Sequence, residues 1–327
     1  MKAAAVSMVK NEGDIIELFV RINLRAFEHL YIVDHDSSDG TTAILQKLKD
    51  AGHPITVVPF KGIQQTQAQT LTRLVRDAAA TGKYDFIVPL DADEFLTPPA
   101  SWLESLADSL GHDRYGKMPW RTFVPVSGDY FGADAPLHAN FRLRSHEPAQ
   151  YYKAVIPNRL AKDCTLEPGN HALVGAAGAE VRLELLHVPV RSSDQLMQKA
   201  VIGSHTLSIK RDRLPNEGFH WDVLACEVRS RGYRLGDEDL LRFALEYAAG
   251  DGDEAATLGD DDRRIGLPTD AIEHKALARS HPVAAFDAFL AKTCVEINAL
   301  QDRIDAAERR RFPFSLLPSS KAPRRPA

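Results

Sequence analysis

The segment YDFIVPLDADEF, residues 84–95, decides the fold of this chain. Its first half is a short apolar run, as expected of a strand that is buried on both faces of a parallel sheet. Its second half places Asp91, Asp93 and Glu94 within four positions. Carboxylates so close together repel one another and need a cation or a proton between them. The segment therefore predicts a buried strand that ends in a charged, ligand-binding turn.

The residues before this segment alternate between short apolar runs and patterns with helical spacing. Such alternation is typical of an α/β fold, a mainly parallel sheet flanked by helices on both faces. The predicted strands are 3–9, 29–34, 55–60 and 84–90. Between them, helices are predicted over 14–27 and 68–78, and a loop followed by a capped helix over 37–52.

Two acidic pairs follow strands of this predicted sheet. Asp34 and Asp36 come after the second strand, and Asp91 and Asp93 come after the fourth. In open α/β sheets, ligands bind beyond the carboxyl ends of the strands. We therefore expect the two pairs to belong to one site.

The remainder of the chain changes character. Aromatic residues, Pro and short β-like runs over 115–210 predict a mixed or antiparallel part that covers the sheet edge. Helical patterns follow, including a final helix near 283–308. We divide the chain into an α/β domain (1–210), a helical C-terminal extension (211–308) and a basic, Pro-rich tail (309–327) that is expected to be flexible.

Composition excludes several classes of protein. The chain has 327 residues, a formal net charge of −5 and a pI near 6.2, so nucleic acid is not an expected partner. Its three Cys lie far apart in no metal-like spacing, which favours reduced thiols. Neither a signal peptide nor an apolar run of ~18 residues is evident, which predicts a cytoplasmic protein.

Two surface contacts stay open at this stage. The basic tail with its Phe and Leu residues offers a peripheral contact to anionic lipid at the inner membrane face, and a disordered end is the alternative. The apolar stripe of the final helix offers a homodimer interface, and packing on the α/β domain is the alternative.

The acidic turn allows three interpretations. A D-x-D can be a capped turn without function. It can be the nucleophile motif of a haloacid-dehalogenase-type phosphatase, although Glu94 beside the nucleophile would repel a phosphoryl group. It can also be a clamp for a divalent cation that bridges a nucleoside diphosphate, since hard cations take oxygen ligands.

Three stretches carry a resemblance to a known family. They are MVKNEGDIIELFVRINLRAFEHLYIVDHDSSDGT (8–41), QTLTRLVRDAAATGKYDFIVPLDADEFL (69–96) and HVPVRSSDQLMQK (187–199). In this order they resemble family 2 glycosyltransferases of the GT-A fold, in a bacterial subgroup with D-x-x-S-x-D-G-T, D-A-D-E-F and H-x-x-x-R-S motifs. The resemblance implies transfer of a sugar from a nucleoside-diphosphate sugar to a saccharide or other hydroxyl acceptor, in surface polysaccharide or glycoconjugate assembly.

The resemblance also implies roles for individual residues. Asp91, Asp93 and His187 would hold Mn²⁺ or Mg²⁺. The chain departs from the family pattern at His35, where a second Asp is usual, so which of Asp34 and Asp36 contacts the base is open. The residues expected at the nucleotide sugar are Lys10, Asn11, Glu12, Asp34, Asp36, Arg73, Asp91, Arg191 and Lys199.

Family 2 relatives invert the anomeric centre, and a carboxylate deprotonates the acceptor hydroxyl. Glu94, Asp129 and Asp222 are the candidates for this base, and Glu94 is alternatively a residue that orients the metal ligands. Trp120 and His171 are candidates for the acceptor site.

Each of these residues also has a structural interpretation. His187 and Trp120 are alternatively core residues, and Arg191 and Lys199 are alternatively surface charges. Asp39 is expected to cap the helix that begins at Thr41. A glycosyltransferase-like protein that only binds a nucleotide or glycan is the alternative function.

Overall fold

The computed structural model describes residues 1–62, 66–111, 113–125, 141–144, 147, 151–210, 213–215, 217–249, 258–259, 272–278 and 282–311. The chain divides into one compact unit, Met1–Phe286, and a second unit that begins at Asp287. The described strands are β1 (Ala3–Val9), β2 (His29–Asp34), β3 (Ile55–Pro59), β4 (Phe86–Pro89), β5 (Glu94–Leu96), β6 (Arg114–Pro125), β7 (Phe141–Arg144), β8 (Tyr152–Pro157), β9 (Ala177–Glu180), β10 (Leu185–His187) and β11 (Leu258–Gly259). The described α-helices are α1 (Ile16–Asn23), α2 (Thr41–Asp50), α3 (Gln67–Ala80), α4 (Trp102–Leu110), α5 (Asn158–Ala161), α6 (Ser193–Ser208), α7 (Phe219–Ser230), α8 (Asp237–Ala249), α9 (Lys275–Ala278) and α10 (Pro282–Arg311).

The sheet is built around β1. β1 pairs in parallel with β2 on one side and β4 on the other, and β3 continues the parallel part beyond β2. β8 runs antiparallel to β4, and β6 runs antiparallel to β8. The strand order along the sheet is β11-β7-β6-β8-β4-β1-β2-β3. The structure confirms the α/β class and the four strands predicted from apolar runs, with β3 and β4 slightly shorter than predicted.

Alternate residues of β1 belong to the two hydrophobic clusters that cover the faces of this sheet. Ala3, Ala5 and Val9 pack in one cluster with α1 and α2, whereas Ala4 and Val6 pack in another with α3. All seven residues of β1 are buried. Burial on both faces explains why the strand reads as a continuous apolar run rather than an alternating one.

Two short strands after β4 bring distant residues to the carboxyl edge. β10 pairs antiparallel with β5, so that His187 lies opposite Glu94. β10 also pairs in parallel with β6, with His187 opposite Thr122. The Val188 N–H donates to the Asp93 carbonyl oxygen (2.8 Å). This register places His187 beside the D-x-D turn, although 93 residues separate His187 from Glu94 in the sequence.

The helices α6, α7 and α8 share a third cluster with Val124 of β6. Leu196 and Ala200 of α6 pack there with Leu224 of α7 and Phe243 of α8. Part of the predicted extension therefore packs on the segment before it, and the domain boundaries at 210/211 and 308/309 stay predictions. None of the described helices is long and apolar enough to cross a membrane.

Candidate active site

A cavity of about 750 Å³ opens at the carboxyl ends of β1, β2 and β4. α6 and the beginning of α7 line its opposite wall. The predicted site residues that line it are Lys10, Asn11, Glu12, Asp91, Asp93, Trp120, His171, His187 and Lys199. This edge of the sheet is therefore concave, and of the two acidic pairs expected to share a site only Asp91 and Asp93 line the cavity.

The acidic turn is held by a buried lysine. The Asp91 N–H donates to Glu94 Oε2 (2.8 Å), and the Glu94 N–H donates to the Asp91 carbonyl oxygen (3.1 Å). Lys153 of β8 is completely buried, and its Nζ lies 2.5 Å from Asp91 Oδ2 and 3.3 Å from Glu94 Oε1. Lys153 also donates to the Gly169 carbonyl oxygen (3.1 Å), and Gln67 donates to Asp91 Oδ1 (2.7 Å). The cation that offsets the repulsion at Asp91 is thus a side chain of this protein.

Electrostatics assign Glu94 to the turn rather than to the cavity. Burial raises the pKa of Glu94 well above its usual range, against the opposing effect of Lys153. Burial alone would lower the pKa of Lys153, but Asp91 and Glu94 outweigh it and raise that pKa. The side chain of Glu94 is completely buried and does not line the cavity. Of its two predicted roles, this geometry favours the orientation of the turn over proton abstraction.

Lys153 was missed by the sequence analysis. The segment YYKAVIPNRL contains one lysine among apolar residues, which is ordinary for an edge strand. The available signal was the run of apolar residues from 154 to 157, which indicates a strand buried on both faces. A lysine in such a strand needs a buried acid, and the acidic turn supplies two.

Asp93 faces three cationic or titratable groups. Lys199 Nζ lies 2.6 Å from Asp93 Oδ2, and an Arg191 guanidinium nitrogen lies 3.7 Å from the same oxygen. His187 Nε2 lies 3.9 Å from Asp93 Oδ1. Although burial opposes ionisation, Lys199 and Arg191 hold the pKa of Asp93 well below its usual range. Asp93 is therefore a buried carboxylate that stays charged.

Arg191 ties the end of β1 to the segment before α6. It is completely buried and donates to Asp14 (2.7 and 3.0 Å), to Glu12 Oε2 (2.5 Å) and to the Val188 carbonyl oxygen (3.2 Å). Burial would lower the pKa of Arg191, but Asp14 and Glu12 raise it. Burial raises the pKa of Glu12 to about 7. With its donors satisfied inside the protein, Arg191 stabilises the site rather than facing a ligand.

His187 is fixed by an aromatic contact. Its ring stacks on Trp120 with centroids 4.3 Å apart and an interplanar angle of 27°. Burial lowers the pKa of His187 to about 4, so the imidazole is neutral near pH 7 and keeps one nitrogen lone pair. Nδ1 of His187 is buried without a hydrogen-bond partner in the described part of the chain. The side chain has the chemistry of a metal ligand rather than of a charged partner for Asp93.

The loops after β1 and β2 hold each other in unusual backbone conformations. Asn11 (φ 55°) and Asp36 (φ 53°) are both left-handed, which Asn and Asp tolerate better than most residues. Asn11 Oδ1 accepts from the Ser38 N–H (2.7 Å), and Lys10 Nζ donates to the His35 carbonyl oxygen (2.8 Å). These contacts preorganise the edge of the cavity where the two loops meet.

His35, at the family's usual Asp position, is a neutral group at the cavity. It is buried, its ring packs edge-on against Phe60 (5.2 Å), and burial lowers its pKa to about 4. Its Nε2 has no hydrogen-bond partner among the residues that the structure describes. A neutral imidazole both donates and accepts, whereas an Asp only accepts.

The comparisons with known proteins assign a family to this geometry. Residues 5–153 match the family model described as Glycosyl transferase family 2. That part of the chain is similar to glycosyltransferase family 2. The assignment covers β1 to the beginning of β8 and includes the acidic turn. The α/β class is confirmed by the strand order, and the family match favours the glycosyltransferase interpretation of the D-x-D over the phosphatase one.

Solved glycosyltransferase structures resemble the chain only distantly. S. aureus TarS 1–349 in complex with UDP is 13% identical, with a TM-score of 0.35, over 73% of this chain and 74% of that one. The same protein in complex with UDP-GlcNAc is 14% identical, with a TM-score of 0.35, over 77% and 80%. Glucosyl-3-phosphoglycerate synthase from Mycobacterium tuberculosis, in complex with Mn²⁺, UDP and glucosyl-3-phosphoglycerate, is 17% identical, with a TM-score of 0.27, over 37% and 44%. No curated protein matches the chain.

Several predicted residues of this glycosyltransferase lie away from the cavity. The side chain of Arg73 is 87% exposed on α3 and lies 3.9 Å from Asp77, so its position does not support a diphosphate contact. Asp34 accepts from the Ser37 N–H (3.1 Å) and the Thr42 hydroxyl (2.5 Å), which commits both oxygens to its own loop. Neither Asp34 nor Asp36 is among the lining residues of the cavity, and which of them contacts the base stays open.

The two candidate bases that the structure describes, Glu94 and Asp222, do not line the cavity. Asp222 accepts from Ser204 (2.7 Å) and Arg213 (2.6 Å) and is not among the lining residues. Asp129 lies outside the described residues. Asp39 accepts from the Thr41 N–H (2.9 Å) at the beginning of α2, as expected of a structural residue.

The predicted acceptor residues lie together next to His187. Trp120 and His171 have ring centroids 5.5 Å apart, and Tyr151 lies 5.5 Å from His171. His187 covers one face of Trp120, so a sugar cannot stack on that face. His171 Nδ1 contacts the Tyr152 carbonyl oxygen (2.9 Å). Trp120 acts first as a platform for His187, and an acceptor role for either residue stays a prediction.

Two of the three predicted metal ligands, Asp93 and His187, are placed so that they could hold a divalent cation. Asp93 Oδ1 and the neutral His187 Nε2 face each other across 3.9 Å, and carboxylate and imidazole together suit a borderline cation such as Mn²⁺. Both oxygens of Asp91 are held by Gln67 and Lys153. No cluster of three His, Cys, Asp or Glu ligands occurs within the described ranges. The remaining coordination positions would therefore fall to the substrate and water.

Proposed function

We propose that this glycosyltransferase binds a nucleoside-diphosphate sugar in the cavity and transfers the sugar, with inversion, to the hydroxyl of a saccharide or other acceptor. The observation that carries the proposal is the buried pair of Asp93 and His187, which faces the cavity at the carboxyl edge of the sheet. The family match supports the same reaction class.

Asp93 and His187 would hold Mn²⁺ or Mg²⁺. When bound, such a cation neutralises the charge that develops on the departing diphosphate. His187 suits this role because its low pKa keeps it neutral, and its contact with Trp120 fixes the ring. Orientation of a metal-binding histidine by its neighbours strengthens binding.

The other residues bind and orient the donor. Asp91, which pairs with Lys153 and keeps partial exposure at the cavity, offers an oxygen to a ribose hydroxyl. Asp36 and His35 lie at the edge expected to meet the base. Lys199 faces the position of the diphosphate. We place the reaction in surface polysaccharide or glycoconjugate assembly, which is what the family resemblance implies.

Calorimetry of UDP and GDP with Mn²⁺ and with EDTA tests this proposal, followed by an assay of donor hydrolysis. We expect one nucleotide to bind in a Mn²⁺-dependent manner, and the corresponding donor sugar to be hydrolysed slowly without an acceptor. Metal-dependent binding without hydrolysis or transfer would favour a binding module instead. The absence of binding by either nucleotide would overturn the proposal.

A further inference from the structure

We propose that Lys199 is a displaceable counterion of Asp93, and that a divalent cation gains access to Asp93 only when a diphosphate draws Lys199 away. In the nucleotide-free protein the lysine holds the carboxylate, and in the loaded protein it holds the diphosphate. This inference rests on the proposed function, because it requires a diphosphate and a cation in the same cavity.

The position of the ammonium carries the first step. Lys199 Nζ lies 2.6 Å from Asp93 Oδ2, at hydrogen-bond distance, whereas the other cation at this oxygen, Arg191, lies 3.7 Å away. The Lys199 ammonium repels an incoming divalent cation, and this repulsion is strongest at short distance in a site with little solvent. With Lys199 in place, Asp93 is therefore a poor ligand for a free divalent cation, although its charge is right.

The two basic groups at Asp93 differ in their freedom to move. Arg191 is completely buried and donates to Glu12, Asp14 and the Val188 carbonyl oxygen. The side chain of Lys199 is 27% exposed, lines the cavity, and has Glu12 Oε1 only at 3.8 Å as its second carboxylate. A lysine has a flexible four-carbon stem, whereas the guanidinium is a rigid fork. Lys199 is the member of the pair that can leave.

The cavity offers space into which the Lys199 side chain can move. Its Nζ lies 5.7 Å from the centroid of the Trp221 ring on the opposite wall, so the side chain spans the space between that wall and the acidic turn. A diphosphate carries more negative charge than one carboxylate and accepts lysine readily. Departure of Lys199 opens Asp93 Oδ2 while Oδ1 still faces His187. Cation and diphosphate then favour each other's binding, as linkage requires.

The test is the Lys199→Met variant, which keeps the apolar stem and removes the charge. Mn²⁺ binding without nucleotide is measured by electron paramagnetic resonance of the free ion. Binding of UDP, GDP and inorganic pyrophosphate is measured by calorimetry in EDTA. We expect the variant to bind Mn²⁺ alone about tenfold more tightly and the diphosphates about tenfold more weakly. A residue with a purely structural role would not give these opposite signs.

Lys210→Met is the matched control, because Lys210 follows the same helix and lies at the cavity but pairs with Glu217 (2.7 Å) rather than Asp93. It is expected to leave Mn²⁺ affinity unchanged. Equal Mn²⁺ affinity in wild type and Lys199→Met, with nucleotide binding retained, would overturn the inference but not the proposed function. Loss of both affinities together with a lower melting temperature would assign Lys199 a structural role. If wild type, Lys199→Met and Lys210→Met all fail to bind Mn²⁺, with or without nucleotide, the proposed cation site is overturned as well.

Discussion

At the scale of single residues, the site is a set of buried charges whose neutralisation is divided between two lysines. Lys153 serves Asp91 and Glu94 from β8, and Lys199 serves Asp93 and Glu12 from α6. Lys153 is completely buried, whereas Lys199 borders the cavity. The fixed lysine maintains the turn, and the accessible one is available for exchange with a ligand.

Lys153→Met is expected to destabilise the protein by about 3–5 kcal/mol, because it leaves the buried Glu94 and the partly exposed Asp91 without their cation. Urea unfolding at pH 7 measures the change. Lys83→Met, at an exposed position, is the control and should shift stability by less than about 0.5 kcal/mol. Adding Asp91→Asn and Glu94→Gln to Lys153→Met should recover part of the loss. Unfolding curves of Lys153→Met that coincide with wild type would show that the turn does not depend on this lysine.

Arg73→Ala tests whether Arg73 contacts the nucleotide sugar, as the family resemblance implies, or is an exposed surface residue, as the structure shows. Because the side chain is 87% exposed on α3, we expect less than about a twofold change in UDP affinity, well under the ~1.4 kcal/mol that corresponds to tenfold. Calorimetry with Mn²⁺ measures it. A tenfold loss of affinity would mean that α3 presents Arg73 to the nucleotide in the loaded protein.

At the scale of elements, sequence reasoning succeeded where local pattern and structure agree. The run 3–9 coincides with β1 because a strand buried on both faces is continuously apolar, and the run 29–34 coincides with the partly buried β2. The proximity of His187 to the acidic turn came from the family resemblance. Its physical basis, the pairing of β10 with β5, is a long-range contact that no local pattern encodes.

The roles that sequence assigned less well depend on the direction of a side chain. The family resemblance placed Arg191 at the nucleotide sugar, but its side chain turns inward to Asp14 and Glu12. Arg73 lies on the outer face of its helix. Lys153 has partners that lie 62 and 59 positions away in the chain. Such pairings depend on the folded structure, because buried charges pair with groups that are close in space and often distant in the sequence.

The N-terminus of α6 sets the position of Lys199 and is itself testable. Ser192 caps the helix by accepting from the Gln195 N–H (3.2 Å), the pattern of a capping serine. Ser192→Ala should cost about 1 kcal/mol of stability, measured by urea unfolding. Ser192→Asp, which can still cap, should restore most of it. Equal losses in both variants would indicate that the hydroxyl serves another purpose.

At the scale of the whole molecule, buried neutral histidines link stability to pH. The pKa of His35 is lowered from 6.5 to about 4 by burial. Its contribution to stability is complete above the unfolded value of 6.5 and is lost as the pH falls towards 4, because the unfolded chain then binds the extra proton. We expect His35→Gln to lose less stability than wild type between pH 7 and pH 4.5, by up to about 3 kcal/mol. Urea unfolding at the two pH values checks this, and parallel losses in both proteins would contradict it.

The central claim is that Asp93 and His187 hold a divalent cation against a nucleotide's diphosphate. Crystals grown with Mn²⁺ and the nucleotide that binds in calorimetry, and measured at the manganese absorption edge, test it most directly. The account predicts one anomalous peak between His187 Nε2 and Asp93 Oδ1, in contact with the diphosphate, with Lys199 Nζ moved from Asp93 to a phosphate oxygen. An ordered diphosphate elsewhere in the cavity, with no peak at this pair, would contradict it.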